Sequence, residues 1–208
     1  MTATDTRTAI PSYTAGTWTI DPVHSEVGFT VRHMMVSKVR GRFTSFSGEV
    51  VTGADPLGSS VTAEIALDSI VTGQEQRDAH IRSADFFDVE NHPTMTYRST
   101  GVRQDGDDYV VDGQLTLKGV TKDVPLALEL NGFGPDAYGG TRAGFTATAE
   151  ISRSDFGVSW NAAIQVQTRW PTRAGSTPSP TASITPAPSW CGIWNPSMGR
   201  GVAPLRLL

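Results

Sequence analysis

Histidines have the broadest chemistry of the side chains in this sequence, and there are four of them: His24, His33, His80 and His92. They fall on four different segments, and none has a cysteine or a second histidine at the spacing that a zinc-binding motif requires. Asp21-Pro22 precedes His24, so this ring is expected to bond locally within a turn. The sequence therefore predicts no metal site and no cofactor.

An acid–base pair is the next chemistry to consider, because Arg77, Asp78 and His80 lie close together and Asp85 follows them. An aspartate can orient a histidine for proton transfer. Positions two apart on a helix point to different faces, however, so Asp78 and His80 are not expected to face each other. This geometry favours a structural interpretation, in which Arg77 and Asp78 tie a helix to the rim of the domain.

Motifs for covalent catalysis are missing from the sequence. It has no Gly-x-Ser-x-Gly elbow and no phosphate-binding loop, and its single cysteine, Cys191, lies in an irregular C-terminal region. The sequence therefore predicts a protein that is not an enzyme. An enzyme is the open alternative, and it would need Arg77, Asp78 and His80 to converge on one cavity mouth.

The elements that must position these side chains are mainly β-strands, because apolar and polar residues alternate along much of the chain. Many short strands separated by polar turns are typical of a sandwich or a barrel. Large and small side chains are interspersed along the predicted inner faces, which would either leave room for one ligand or fit the taper of a packed core. The clearest alternation is found at Val27 to Val31, and at residues 61–67, 124–130 and 145–151.

One segment breaks the strand pattern and predicts a helix instead. Thr72 and Glu75 have the spacing of a capping box, which predicts a short helix over about residues 74–90. Residues 1–16 are predicted to be a flexible lead, residues 17–164 the β-domain, and residues 165–208 a disordered tail, since residues 171–190 are rich in Pro, Ser and Thr. The patterning stops abruptly near residue 164, so a native tail and a shifted reading frame are both open.

Charge and composition limit the partners and the compartment. The 208-residue chain has a formal net charge of −4, and residues 162–208 carry +4 from four arginines, which leaves −8 for residues 1–161. An acidic body without clustered Lys or Arg offers no surface for nucleic acid. One cysteine demands no oxidising compartment, and neither a secretory leader nor a run of ~20 apolar residues is present. We therefore expect a soluble, cytoplasmic protein with no integral membrane segment.

Six segments, in order, give the sequence a resemblance to the YceI-like family, and together they cover roughly residues 17–160. The longest of them, residues 69–100, is the most specific. The six segments are TWTIDPVHSEVGFTVRH, VRGRFTSFSGEV, SIVTGQEQRDAHIRSADFFDVENHPTMTYRST, GQLTLKGVTKDV, the strand at residues 145–151, and RSDFG at residues 153–157.

The resemblance implies an all-β fold: an antiparallel lipocalin-like β-barrel of about eight strands with a short helical cap. It also implies a function, namely binding, storage or transport of a long apolar isoprenoid-type lipid, such as a polyprenyl chain or a quinone. The enzymatic alternative would then act on a small lipid-like substrate at the cavity mouth. Members of the family usually end with an amphipathic strand that closes the barrel, and the residues from Gln165 onward show none. An unclosed barrel exposes strand edges, so pairing in a homodimer, or a non-functional product, also stays open.

The candidate binding residues are of two kinds, and strand parity selects those of the apolar lining. The candidates for contact with a polar head group are His33, Arg77 and His80. The candidates for the apolar lining of the cavity are Val27, Phe29, Val31, Phe43, Ile65, Leu67, Tyr97, Leu115, Leu128 and Phe145.

Overall fold

The structure, a computed structural model, describes residues 10–33, 37–106, 108–136, 139–158 and 200–207. Strands dominate it because apolar and polar side chains alternate, as in the strand Ser60–Ala66, where Ala63 and Ile65 are buried while Glu64 between them is exposed. The strands are β1 (Gly16–Thr19), β2 (Glu26–His33), β3 (Ser37–Phe43), β4 (Phe46–Thr52), β5 (Ser60–Ala66), β6 (Ile70–Val71), β7 (Thr94–Asp105), β8 (Asp108–Leu117), β9 (Val120–Asp123), β10 (Leu126–Pro135), β11 (Thr141–Ser152) and β12 (Arg200–Leu207), and the helix α1 (Glu75–Arg82) follows β6.

These strands form one curled sheet of antiparallel pairs. Three pairs of consecutive strands continue each other: Thr44 and Ser45 separate β3 from β4, the 3-10 turn Leu67–Ser69 separates β5 from β6, and two residues separate β9 from β10. Counting each pair once gives a ring of eight strands, with β1 added at the edge of β4. The predicted all-β antiparallel barrel with a short helix is therefore confirmed.

The final strand of the ring comes from the end of the chain. β12 lies between β11 and β2, and its register with β11 runs from Phe145↔Leu207 to Ser152↔Arg200. No closing strand is predicted from Gln165 onward, whereas in the structure residues 200–207 take that place. Residues 159–199, which include most of the predicted disordered tail of residues 165–208, lie outside the described residues.

The N-terminal segment packs on the barrel within residues 10–16, part of the predicted flexible lead. The Tyr13 hydroxyl donates a hydrogen bond of 2.8 Å to the Gly53 carbonyl, and its ring meets Phe133 edge-on at a centroid distance of 5.3 Å. Thr52 in β4 accepts hydrogen bonds from the Gly16 amide and the Trp18 indole. This segment therefore covers one end of the barrel.

Helix α1 is shorter than predicted and starts with a different cap. It ends at Arg82 rather than near residue 90, because the Ser83 amide turns back to the His80 carbonyl and the chain then continues in tight turns. The N-cap is Gln74, whose side chain accepts a hydrogen bond from the Arg77 amide. No helix among the described residues is long and apolar enough to cross a membrane.

Candidate functional site

A cavity of about 230 Å³, called the main cavity below, lies inside the barrel between the sheet and the segment after α1. Its wall is almost entirely apolar. Phe86 and Phe87 cover it from the side of α1, and Phe87 stands 6.4 Å from Phe43 between ring centroids. Seven of the ten predicted lining residues surround this cavity: Val27, Phe29, Val31, Phe43, Ile65, Tyr97 and Leu115.

A smaller cavity of about 80 Å³, the second cavity, continues the barrel interior toward the N-terminal segment. Tyr13 and Ile10 contribute to its outer end, and the predicted residues Leu128 and Phe145 line it. The tenth predicted residue, Leu67, lines neither cavity. It is fully buried in the core, because β5 ends at Ala66 and Leu67 begins a 3-10 turn that leaves the inner face.

Three residues, Ala63, Tyr97 and Leu126, line both cavities. Tyr97 is the bulkiest of them, and it is 6% exposed. Its hydroxyl lies 3.0 Å from the Val111 carbonyl and 3.0 Å from the Val124 carbonyl, to which it donates. Burial, helped by the negative charge of Asp112, raises the pKa of Tyr97, so the hydroxyl keeps its proton at neutral pH.

Arg153 is the charged side chain in the described wall of the main cavity. It begins the 3-10 turn Arg153–Phe156, which follows β11 and is anchored by the buried Phe156 and Val158. Burial lowers the pKa of Arg153 to about 10, so the guanidinium stays protonated at neutral pH. Residue patterning missed this position, because RSDFG at residues 153–157 has the composition of an ordinary turn.

The predicted head-group residues on α1 lie outside the described lining of both cavities. The Arg77 guanidinium donates to the Thr72 hydroxyl and the Thr72 carbonyl, at 2.6 and 2.8 Å. His80 pairs with Asp85 at 3.3 Å, and its ring meets the Phe86 ring edge-on. His33 is placed in β2 by its backbone, and its side chain lies outside the described residues.

Asp78 has a structural role, which is to hold α1 against the residue that follows β6. It is 6% exposed and accepts hydrogen bonds from both the amide and the hydroxyl of Thr72. With Arg77 on the same threonine, it fastens α1 to the end of β6. Asp78 and His80 therefore face different partners, as the helical spacing predicts, and the two do not form a proton-transfer pair.

A polar cluster lies outside the barrel at the turn before β2. His24 Nδ1 is 2.7 Å from Asp21 Oδ2, which confirms the local bonding predicted for this histidine, and Arg142 Nη1 is 3.1 Å from the same oxygen. The hydrogen bond from His24, and then that from the Val23 amide, lower the pKa of Asp21. In the part of the chain that the structure describes, no three His, Cys, Asp or Glu side chains are grouped to hold a metal ion.

Fold and cavity together define a class of protein: an antiparallel β-barrel that encloses an apolar binding space under a short helical cap. The family model for the YceI-like domain matches residues 18–173, and this chain belongs to that family. Protein YceI of Escherichia coli O17:K52:H18 is 40% identical over 136 residues, which cover 65% of this chain and 71% of that protein. A UPF0312 protein of Photorhabdus laumondii is 41% identical over 134 residues, or 64% of this chain and 70% of that one.

Solved structures show the same architecture. The Campylobacter jejuni YCEI protein has 30% identity and a TM-score of 0.55 over 67% of this chain and 83% of that chain. Burkholderia cenocepacia BcnA has 26% identity and a TM-score of 0.56 over 66% of this chain and 83% of that chain. A polyisoprenoid binding domain from Saccharophagus degradans, 18% identical with a TM-score of 0.51, shares the fold.

Proposed function

We propose that this protein binds a long, mainly apolar lipid of the isoprenoid type, a polyprenyl chain or a quinone, and stores or transports it within the barrel. The observation that carries the proposal is the main cavity, an apolar space of about 230 Å³ lined by side chains of several strands and the α1 segment. Removing an apolar chain from water contributes about 0.8 kcal/mol for each buried methylene. An apolar wall therefore supplies affinity without a set of specific polar contacts.

Arg153 gives the ligand an orientation in this proposal. The Arg153 guanidinium is protonated at neutral pH and carries five donors for hydrogen bonds, so it can attract and orient an oxygen-rich group. An oxygen-rich end of a lipid, whether a phosphate or a quinone carbonyl, would accept from it. The polar end of the ligand would then lie beside Arg153, rather than beside His33, Arg77 or His80 as the sequence suggested.

The membership in the YceI-like family and the polyisoprenoid binding domain that shares the fold support a lipid-binding role. The enzymatic alternative needs Arg77, Asp78 and His80 to converge at the cavity. Instead, two of these side chains bond to Thr72, and His80 bonds to Asp85. The geometry therefore favours binding over catalysis at this place.

The test is mass spectrometry of organic extracts from the full-length protein, purified without detergent. We expect a prenyl or quinone lipid near one equivalent in the wild type, and its loss in Phe29→Asp, which places a carboxylate in the apolar wall. Val23→Asp is the matched control, since Val23 is 82% exposed and lies outside the cavities. An empty wild type, or a folded Phe29→Asp that keeps its lipid, would contradict the proposal.

A further inference from the structure

The boundary between the two cavities follows one line across the barrel. Along β5, Ile65 lines the main cavity and Val61 the second, with Ala63 between them lining both. Along β7, Tyr97 likewise follows Met95 of the main cavity and precedes Val102 of the second. Leu126 also lines both cavities, so the change from one cavity to the other occurs at this residue as well. The two cavities are therefore consecutive parts of one barrel interior.

Tyr97 fills this boundary because its neighbours leave room for a large ring. Its register partner on β5 is Ala63, a small side chain. On β8, the ring reaches Gly113, where a Cβ would lie 2.4 Å from the Tyr97 hydroxyl oxygen and 2.6 Å from Cζ. A side chain at Gly113 and the Tyr97 ring cannot occupy this space together.

The ring is also held in place at its far end. The hydroxyl of Tyr97 donates toward two carbonyl oxygens, those of Val111 in β8 and Val124 after β9, each at 3.0 Å. These two buried acceptors share the single hydroxyl proton, and a buried hydroxyl that leaves them loses a bond that water does not replace. Swinging the ring out of the boundary therefore has a cost, and the partition is a fixed part of the barrel.

We propose that Tyr97 sets the length of the apolar chain that the protein accepts, by separating the main cavity from a second binding site for the distal end of a longer chain. This inference rests on the proposed function and names the residue that would control its specificity. The second site is apolar, and it would take the terminal isoprene units of a prenyl chain. Its wall includes Val61, Val102, Val111, Leu128, Leu130 and Phe145.

The test compares the affinities of the full-length protein for farnesol, geranylgeraniol and solanesol, three prenols of increasing length. In the wild type, affinity should rise with length and then level off where the chain meets Tyr97. In Tyr97→Ala, the ratio of the affinity for the longest prenol bound to that for farnesol should rise at least tenfold, which is about 1.4 kcal/mol. Tyr97→Phe is the matched control, since it keeps the ring and should keep the wild-type plateau.

Two further variants protect the result against a folding defect at Tyr97. Tyr97→Leu replaces Tyr97→Ala if the alanine variant unfolds, and Leu128→Trp added to it should fill the second cavity and reverse the gain. If the wild type binds prenols and Tyr97→Ala and Tyr97→Leu show the same plateau as Tyr97→Phe, then Tyr97 does not control chain length, while the lipid-binding proposal stands. If the wild type binds no prenol or quinone, the proposed function fails and this inference fails with it.

Discussion

Gly113 offers a sharp test of how the barrel interior is packed. A methyl group at this position would lie 2.4 Å from the Tyr97 hydroxyl oxygen, 2.6 Å from Tyr97 Cζ and 2.7 Å from the Arg98 carbonyl oxygen. The first two atoms belong to a ring that is bonded at its far end, and the third belongs to the backbone of β7. None of them is the free end of a flexible side chain, so Gly113→Ala must displace the ring, the strand or both.

The cost of Gly113→Ala can be estimated from these contacts. Overpacking a well-filled core destabilises by about 1–3 kcal/mol, and a displaced hydroxyl loses a buried hydrogen bond of about 1 kcal/mol. We expect a loss of about 2–3 kcal/mol in the free energy of unfolding, taking the middle of these ranges. For a protein of this size, that loss corresponds to a melting temperature lower by roughly 4–12 °C.

The measurement is urea unfolding of the full-length protein followed by circular dichroism. Gly101→Ala in β7 is the matched control, because nothing lies within 4 Å of the Cβ position there, and its change should stay below about 0.5 kcal/mol. Adding Tyr97→Leu to Gly113→Ala should recover part of the loss, a coupling that a double-mutant cycle measures. Equal stability of the two alanine variants would refute the packing argument, and with it the fixed position of the Tyr97 ring.

Three other perturbations test the site and its surroundings. Asp78→Ala removes the buried acceptor of the Thr72 amide and hydroxyl, so urea unfolding should show a loss of about 2–3 kcal/mol, against little change for the exposed Asp85→Ala. Arg153→Gln should weaken the binding of a prenyl phosphate by about tenfold or more relative to the matching prenol, measured as a ratio of Kd values, because a hydrogen bond to a charged group is lost. Asp21 has a pKa below its ordinary value of 3.8, so its contribution to stability is present above that value and is lost as the pH falls through the lowered pKa. The difference in melting temperature between wild type and Asp21→Asn should therefore shrink at acid pH, and a constant difference would exclude this linkage.

Strand parity was sufficient to place most of the apolar candidates on the inner face, because successive side chains of a strand point to opposite faces. Val27, Phe29 and Val31 follow this rule along β2, and all three line the main cavity. Leu67 breaks it for a local reason: the strand ends one residue earlier and a 3-10 turn redirects the side chain into the core. Parity arguments thus fail first where a strand stops, and the alternation alone does not mark that residue.

Arg153 and the Tyr97 partition could not be found from local patterns, because both depend on residues far away in the sequence. Arg153 reaches the cavity wall because the 3-10 turn that follows β11 packs against the barrel through the buried side chain of Phe156. The position of the Tyr97 ring depends on Ala63 in β5 and Gly113 in β8, which strand register brings beside it. A small residue has no evident role within its own strand. That it makes room for a large ring is seen only when the strand pairing is known.

The closing strand β12 is a further feature that the local sequence pattern does not predict. Pro204 and Arg206 interrupt the apolar residues at 202–208, and a proline within a run argues against an interior strand, because it cannot donate to the ladder. Yet the structure pairs Pro204 with Thr148 and extends the register over the eight residues of Arg200–Leu207. Strand β12 satisfies the backbone groups of β11 and β2, whose facing edges would otherwise be unpaired. The ring of strands, rather than the preference of the segment itself, accounts for a strand at this place.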